Sequence, residues 1–278
     1  MPVKDVAVTA RGLQLAYSDR IALTASDLDI PAGSVTAIIG PNGSGKSTLL
    51  HAIAGLVEPV GGELGVLVSY PRHRGTAYVL QSTKVHEEMP ITVREVVSMS
   101  RYSRLGMFGR FQTKDRDACR TAMERLHVLD LADRHLDELS GGQRQRVFVA
   151  QGLAQEADLL LLDEPVTGLD IVSRDRILDA VAAERSRGGT VVMTTHDLSE
   201  AASADHVVLL SSRVVASGPP EEVLTAQCLT KAYGINLITT EDGTVVLDDP
   251  YHQAIAGRHR HFDRTGHADH GGSQHQTD

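Results

Sequence analysis

One turn governs how this 278-residue chain must fold: Gly40-Pro41-Asn42-Gly43-Ser44-Gly45-Lys46-Ser47-Thr48. Residues 35–39 ahead of it read as a short buried strand, and residues 49–54 behind it have helical character. Its glycines allow successive backbone N–H groups to curl around phosphate oxygens, and the start of the following helix adds positive potential. Lys46 can reach the β- and γ-phosphates, while the Ser47 hydroxyl suits Mg²⁺. The turn therefore predicts a nucleoside triphosphate site, although a GTPase, a kinase and a transport ATPase all remain open.

The composition is that of a globular protein and restricts the choice of partner. A formal net charge of −9 argues against nucleic acid or anionic lipid as the main partner, because both favour a basic surface. No apolar run approaches the roughly 18 residues of a membrane span, and residues 1–5 do not begin a signal peptide. Cys119 and Cys228 are far apart in sequence and predict reduced structural residues. We expect a chain that stays in the cytosol and meets a membrane only through protein.

The order of strand and helix signals predicts an α/β fold. Apolar and polar residues alternate over 6–40, as in antiparallel strands, and the pattern turns helical and highly charged between about Thr92 and Leu136. Strand and helix signals then alternate: 159–162 and 190–193 read as strands, 173–187 as a helix, and Pro219-Pro220 begins a further helix. The seven basic residues from Arg101 to Arg125 are more typical of a solvated helix face than of a binding patch.

Two further patterns could also serve phosphate chemistry. The apolar run Leu159–Leu162 ends in Asp163-Glu164, which places two carboxylates at the edge of the sheet where ligands bind. Asp163 is suited to hold Mg²⁺ and Glu164 to act as a general base on water. Upstream, Ser140-Gly141-Gly142-Gln143 follows Leu139 and opens a second helix. From the residues alone, that turn is either a second phosphate site or a simple N-capped helix.

Together these motifs resemble the ATP-binding cassette (ABC) family over about residues 6–250. Leu139 to Gln143 is identical to the family's signature sequence, and the resemblance implies a P-loop NTPase core with a mixed, mainly parallel sheet. It also implies an antiparallel β subdomain, a helical subdomain inserted at about 84–157, and a C-terminal helix and strand extension at about 219–250. In that family two cassettes dimerise head to tail, so that Ser140 and Gly142 of one chain would contact ATP held by Lys46 of the other.

The resemblance assigns roles to four more residues. Tyr17 matches the aromatic residue that stacks on adenine, and Gln81 the glutamine that senses Mg²⁺ and water and is coupled to the helical subdomain. Asp170, in Gly168-Leu169-Asp170, matches the loop that crosses the dimer interface, and His196 matches the histidine that contacts the γ-phosphate. Leu80 and Gln151-Gly152 depart from the usual family residues. Gly152 should weaken its helix by about 1 kcal/mol relative to Ala, which suggests backbone crowding there.

A single cassette implies separate partners for transport. The expected partners are a second copy of the chain, integral membrane permease subunits and, indirectly, an extracytoplasmic substrate-binding protein, with the chain on the cytoplasmic face of the membrane. The region Ile91–Val97 would meet a permease helix. Together with Arg101–Gly106, it resembles cassettes of zinc and manganese importers; iron–siderophore and cobalamin cassettes are the alternative, and a non-transport ABC protein or a metal-sensing protein fits less well.

The segment 251–278 is poor in aliphatic residues and is expected to lack a fold of its own. Six of the chain's 13 histidines fall in it. Imidazole favours Zn²⁺ and neighbouring transition metals, and the pairs His259-x-His261 and His267-x-x-His270 could chelate such an ion. The spacing is irregular, so a metal-binding tail and a solvated tail both remain open.

Overall fold

The computed structural model of the chain describes residues 6–17, 20–67, 75–81, 90–105, 109–234, 237–239 and 245–247. The strands are β1 (Val6–Tyr17), β2 (Arg20–Pro31), β3 (Val35–Ile39), β4 (Gly61–Val66), β5 (Thr76–Val79), β6 (Leu159–Leu162), β7 (Thr190–Thr194), β8 (His206–Leu210), β9 (Val214–Gly218), β10 (Leu237–Thr239) and β11 (Val245–Leu247). The helices are α1 (Lys46–Ile53), α2 (Val93–Leu105), α3 (Thr113–Arg125), α4 (Gly141–Ala154), α5 (Ile171–Ser186), α6 (Leu198–Ala202), α7 (Pro220–Val223) and α8 (Ala226–Tyr233), with 3-10 turns at Leu129–Leu131 and Leu136–Glu138.

A six-stranded sheet with the order β5-β6-β7-β3-β8-β9 forms the centre of the protein. Its first five strands are parallel, and β9 pairs antiparallel with β8. Strands β3, β6 and β7 are buried along their whole length, which explains why their sequences are mostly apolar. The predicted parallel α/β sheet is thus confirmed, and the carboxyl ends of its strands lie along one edge.

A second sheet, antiparallel with the order β2-β1-β4, covers one face of the large sheet together with α1. Its alternating residues Leu13, Leu15 and Leu23 are fully buried in the core shared with Ile38 and Leu161. This arrangement confirms the antiparallel start expected from the alternation over residues 6–40. The short helix α1 therefore lies between two sheets, with the phosphate loop at its beginning.

Helices α2 to α6 and their connections cover the other face of the large sheet. The region expected to be helical, Thr92 to Leu136, divides into α2, α3 and the two 3-10 turns. Arg101, in its basic run, is not on a solvated face: it is buried and paired with Asp115 and Glu156. The proposed subdomain limits 84–157 and 219–250 stay predictions, and residues 251–278 lie outside the described residues.

Two local expectations need adjustment, and the one about the cysteines is confirmed. Helix α5 begins at Ile171 rather than at residue 173, because Asp170 caps it: Oδ1 of Asp170 accepts the Ser173 N–H at 2.9 Å. The helix expected from Pro219-Pro220 ends after four residues, and α8 follows with Thr225 as its N-cap. Cys119 and Cys228 are both free cysteines, as expected, with Cys119 buried.

Candidate active site

The phosphate loop runs from the end of β3 into the first turn of α1. Gly40, Gly43 and Gly45 have positive φ angles of 149°, 77° and 100°, which residues with a Cβ resist. At two of them there is also no room for a side chain: a Cβ on Gly40 would lie 2.2 Å from the Leu210 carbonyl oxygen, and one on Gly45 would lie 2.7 Å from that of Ala22. The loop is therefore held between β8 on one side and β2 on the other.

Lys46, the first residue of α1, is buried with only 7% of its surface exposed. Its Nζ donates to the carbonyl oxygens of Gly40 at 2.9 Å and Pro41 at 3.2 Å, so the ammonium group lies inside the loop. Burial lowers the pKa of Lys46, and the nearby carboxylates of Glu164 and Asp163 oppose that shift. A cation held in a turn of backbone N–H groups is suited to attract a polyphosphate.

Asp163 follows β6 directly and is buried among hydroxyl groups. Its Oδ1 accepts hydrogen bonds from Ser47 Oγ at 3.2 Å and Thr194 Oγ1 at 2.6 Å. Its Oδ2 lies 3.4 Å from the Tyr78 hydroxyl, and burial followed by the charge of Asp163 raises the pKa of Tyr78. The predicted pairing of Ser47 with Asp163 is present, and the oxygen atoms brought together are ligands that Mg²⁺ prefers.

Glu164 is placed beside this network by an unusual backbone conformation. Its φ is 46°, in the left-handed region that few residues other than glycine adopt, and its N–H donates to Thr194 Oγ1 at 2.8 Å. Its carboxylate accepts from Gln81 Nε2 at 2.7 Å. Gln81, just beyond β5, thus contacts the residue predicted to be the general base, and Thr194 on β7 orients both neighbouring acids.

The Ser140–Gln143 turn begins α4 and forms a complete capping box. Ser140 Oγ accepts the Gln143 N–H at 3.2 Å, and Gln143 Oε1 accepts the Ser140 N–H at 2.9 Å. Ser140 and Gly141 are exposed, whereas Gly142 is buried against α5, where an added Cβ would lie 2.5 Å from Ser173 Oγ and 2.7 Å from Asp170 Oδ2. In the described chain, no hydrogen bond or ion pair joins this turn to residues 40–48.

The remaining predicted residues within the described chain are exposed. His196 is exposed in the turn after β7, and Tyr17 is 63% exposed at the end of β1. Asp170 is exposed, and hydrogen bonds from the backbone and hydroxyl of Ser173 lower its pKa. The four tail histidines lie outside the described residues. Among the residues that are described, no group of three or more His, Cys, Asp or Glu could hold a metal ion.

Comparison with protein families agrees with this geometry. The sequence model of the ABC transporter family matches residues 23–167, which include the phosphate loop, the Ser140–Gln143 turn and the two acids after β6. The chain belongs to the ABC transporter family. The family match implies that the chain binds a nucleotide, and the assignment of the residues above to that site stays a prediction. We call α4, which begins with the Ser140–Gln143 turn, the signature helix.

Several curated relatives cover most of the cassette. The zinc transport system ATP-binding protein TroB of Treponema pallidum is 40% identical over 84% of this chain and 89% of its own length. The manganese transport system ATP-binding protein MntA of Synechocystis is 35% identical over 82% of this chain and 90% of its own length. These relatives and the family match establish an ATP-hydrolysing subunit of an ABC transporter.

Solved structures give the same fold. A chain assigned to the metal-chelate type of ABC transporter, in an inward-facing conformation, has a TM-score of 0.75 at 26% identity, covering 88% of this chain and 99% of its own. The dimeric bacterial cassette MJ0796 has a TM-score of 0.66 at 25% identity, covering 77% of this chain and 98% of its own. Within the described residues, none of the helices is both long and apolar enough to cross a bilayer. Cassettes of this family dimerise and work with membrane permeases.

Sequence reasoning missed two residues of the acid network, Thr194 and Tyr78. Thr194 lies two residues before His196, and Tyr78 lies three residues before Gln81, so both are close to residues that the sequence did identify. A polar residue in an otherwise apolar strand was the available signal. It became meaningful only once β5, β6 and β7 were found to be adjacent.

Proposed function

We propose that this chain drives the import of a divalent transition metal, zinc or manganese, as a homodimer bound to permease subunits. The observation that carries the proposal is the set of relatives named as zinc and manganese transport proteins, which match 82–84% of the chain at 35–40% identity. A cassette for a metal chelate is the second candidate, supported by the metal-chelate type transporter that shares the fold at 26% identity. An extracytoplasmic binding protein would deliver the substrate, and the cassette would work at the cytoplasmic face, where ATP is available.

The arrangement of Lys46, Glu164 and His196 supports a direct hydrolytic mechanism. The loop and Lys46 bind the ATP phosphates, and Tyr17 stacks on adenine. Glu164 takes a proton from a water molecule while the oxygen of that water attacks the γ-phosphorus. The bond from the γ-phosphorus to the bridging oxygen breaks, so ADP and phosphate leave. Gln81 orients the water and Glu164, and His196 donates to the γ-phosphate.

Mg²⁺ fits this site on the chemistry of the oxygens present. Ser47 Oγ and Asp163 Oδ1 are 3.2 Å apart at the mouth of the loop and would hold the ion together with Gln81. When bound, it would neutralise charge on the β- and γ-phosphates. Thr194 and Tyr78 keep Asp163 in place, so the carboxylate is oriented before the nucleotide arrives.

A second copy of the chain would complete each site. The exposed residues Ser140 and Gly141, with buried Gly142 next to them, form a helix start, and such a start attracts anions. Ile171 and Val172, next to Asp170, are 77% and 63% exposed and form an adjacent pair of large apolar residues on the surface. We propose that both features lie in the ATP-bound dimer interface.

A groove on the helical side supports the permease contact. It has a volume of about 640 Å³ and is lined by Pro90, Ile91, Arg94, Glu95, Ser98, Met99, Tyr102 and Phe111. Met99 and Tyr102 are 48% and 60% exposed, and the groove includes part of the predicted contact region Ile91–Val97. An amphipathic permease helix fits such a groove, with apolar residues against Met99 and Tyr102 and polar residues near Arg94 and Glu95.

Metal content of cells that lack this protein tests the proposal. We expect the cellular content of zinc or manganese to fall in these cells. The full chain should restore it, and the Glu164→Gln variant should not. Glu63→Gln, at an exposed residue of β4, is the matched control and should restore the metal content. Unchanged levels of both metals, with loss of growth on a siderophore or cobalamin, would favour the chelate alternative. A chain ending at Pro250 tests the histidine tail: full recovery would show that metal binding by the tail is dispensable.

A further inference from the structure

The first turn of α5 contacts two functional motifs at once. On one side, Asp170 and Ser173 pack against Gly142 of the signature helix so closely that a Cβ there would lie 2.5 Å from Ser173 Oγ. On the other side, Arg174 reaches the loop that carries His196. The Arg174 N–H donates to the Asp170 carbonyl oxygen at 3.0 Å, so both contacts belong to one rigid helical turn.

Arg174 binds two carboxylates around the His196 loop. Its Nη2 lies 2.9 Å from Asp197 Oδ2 and 3.0 Å from Glu200 Oε1. Glu200 is only 5% exposed, and its other oxygen accepts the Thr195 hydroxyl at 2.5 Å. The Asp197 N–H in turn donates to Thr195 Oγ1 at 3.0 Å. The residues on both sides of His196 are thus tied to each other and to Arg174.

Asp197 also has a structural role that fixes the end of this loop. It is the N-cap of α6, accepting the Ser199 N–H at 2.7 Å. Burial opposes ionisation of Asp197, but the hydrogen bonds from Ser199 and the charge of Arg174 keep its pKa below the ordinary value. A charged Asp197 therefore remains available to Arg174.

We propose that Arg174 is a positioning residue for His196. Through Arg174, the position of His196 would depend on the position of the first turn of α5. The proposal rests on the proposed function, in which His196 contacts the γ-phosphate and the first turn of α5 lies at the dimer interface. A planar guanidinium that contacts two carboxylates constrains a loop more than a single point charge does. Closure of the dimer on α5 would then be transmitted through Arg174 to His196 in the same chain.

A purely stabilising ion pair is the competing explanation. The pair of Arg174 with Asp197, whose side chains are 37% and 32% exposed, contributes little to stability after screening by water, whereas Glu200 is 5% exposed and relies on Arg174 as its cation. A stabilising role predicts a lower unfolding temperature with unchanged turnover. A positioning role predicts reduced turnover that depends on His196.

ATP hydrolysis by the full chain distinguishes the two roles. We expect Arg174→Ala to lower kcat about tenfold and change KM for ATP less than about twofold, and Arg174→Lys to recover part of the loss. In a His196→Ala background, Arg174→Ala should lower the residual phosphate release by less than about twofold, because its effect passes through His196. Arg185→Ala is the matched control: Arg185 lies in the last turn of the same helix and pairs with Asp205, directly before β8, rather than with the carboxylates that follow His196.

Arg174→Ala leaves Glu200 without its cation and could therefore impair folding. The double variant Arg174→Ala/Glu200→Gln removes both charges, and it should regain the unfolding temperature while keeping the tenfold loss of kcat. An unchanged kcat in this variant, or an equal loss with and without His196, would overturn the proposal. If the unaltered chain hydrolyses ATP and Glu164→Gln does not, the proposed function stands whatever Arg174 does; normal turnover by Glu164→Gln would instead contradict the proposed function.

Discussion

Glu164 combines a strained backbone with a carboxylate held by one side chain. Its left-handed φ of 46° costs about 1 kcal/mol or more for a residue with a Cβ, and Pro165 follows it directly. The Thr194 hydroxyl holds its N–H at 2.8 Å, and Gln81 holds its side chain at 2.7 Å. Strain of this kind persists only where the surroundings determine the conformation. Here it holds the carboxylate near enough to Lys46 for the negative charge to oppose the lowering of the pKa of Lys46.

Replacement of Glu164 by Gln should separate binding from hydrolysis. The amide has the same shape but cannot take a proton from water, so we expect ATP to bind with nearly unchanged affinity and kcat to fall about 1000-fold. Phosphate release and equilibrium nucleotide binding measure the two quantities. Glu63→Gln, on the exposed strand β4, is the control and should retain normal turnover. Turnover at the unaltered rate in Glu164→Gln would show that another group is the base.

Individual residues of the site were predictable where a motif fixed their local geometry. Lys46, Ser47 and Asp163 lie where the sequence places them, because a loop before a helix and an acid after a buried strand have few possible arrangements. Thr194 and Tyr78 were not found, because their roles come from pairing between strands. Leu162 pairs with Met193 on one side and Val79 on the other, and only that register brings both hydroxyls to Asp163. Register between distant strands cannot be read from local periodicity.

Helix α4 packs on the large sheet at a glycine. A Cβ on Gly152 would lie 2.7 Å from Val79 Cγ2 and 3.1 Å from Leu160 Cδ1, so the crowding inferred from the sequence is present. Alanine would improve helix propensity by about 1 kcal/mol but overpack this contact by about 2 kcal/mol, since Val79 has little rotamer freedom. We expect Gly152→Ala to lower the free energy of unfolding by about 1 kcal/mol, measured in urea.

Gly141 provides the control for that measurement. It begins the same helix, and a Cβ there would meet no heavy atom within 4 Å. Gly141→Ala should leave the free energy of unfolding unchanged within about 0.5 kcal/mol. If Gly152→Ala has the same free energy of unfolding as the unaltered chain, then the close packing of α4 on β5 and β6 does not require glycine at position 152.

Helices α2, α3 and α4 are joined by a buried ion pair. Arg101 donates to Asp115 Oδ1 at 3.0 and 3.1 Å and to the Ala154 carbonyl oxygen at 2.8 Å, and both charged side chains are at most 4% exposed. The Gln112 N–H and then Arg101 lower the pKa of Asp115. Because the folded-state pKa is below the unfolded one, this contribution to stability is present above the unfolded pKa and is lost as pH falls through the folded pKa.

Removal of Arg101 alone should therefore destabilise the protein and alter its acid sensitivity. We expect Arg101→Met to lower the free energy of unfolding by about 3 kcal/mol, because Asp115 stays buried without its cation. The pKa of Asp115 should rise, so acid unfolding should begin at a higher pH. Arg101→Met/Asp115→Asn should recover part of the loss in urea unfolding at neutral pH. Arg120→Met, which breaks an exposed pair with Glu124, is the control, and an equal loss there would refute the argument.

The whole molecule brings its motifs together through an order of strands that differs from their order in the chain. Strand β3, which leads into the phosphate loop, lies between β7 and β8, so Lys46 and the His196 loop follow neighbouring strands although 149 residues lie between Lys46 and His196 in the chain. The alternation of strands and helices predicted a parallel sheet but could not give this order. The family resemblance gave a mixed, mainly parallel sheet without its strand order, because local sequence patterns specify elements and long-range packing specifies their neighbours.

At this scale the chain's exposed apolar residues lead to a test of dimer formation. Ile171, 77% exposed beside Asp170, should become buried when ATP joins two chains. In the Glu164→Gln background, ATP should produce a species of twice the 29.9 kDa of one chain, measured by light scattering. Adding Ile171→Asp should weaken that association roughly tenfold or more, because a charge replaces an apolar contact. The unfolding temperature of the monomer should not change, since Ile171 is exposed in it.

Leu56→Asp is the matched control for the dimer test. Leu56 is 64% exposed, nearly as much as Ile171, but it follows α1 and adjoins neither the signature helix nor Asp170 in sequence. We expect the double variant Leu56→Asp/Glu164→Gln to form the ATP-dependent dimer as readily as Glu164→Gln alone. If Leu56→Asp and Ile171→Asp weaken the dimer equally, general surface charge is responsible. If Ile171→Asp leaves the dimer intact, the first turn of α5 is not part of the interface, and the signature residues would then have to meet ATP in a different arrangement of the two chains.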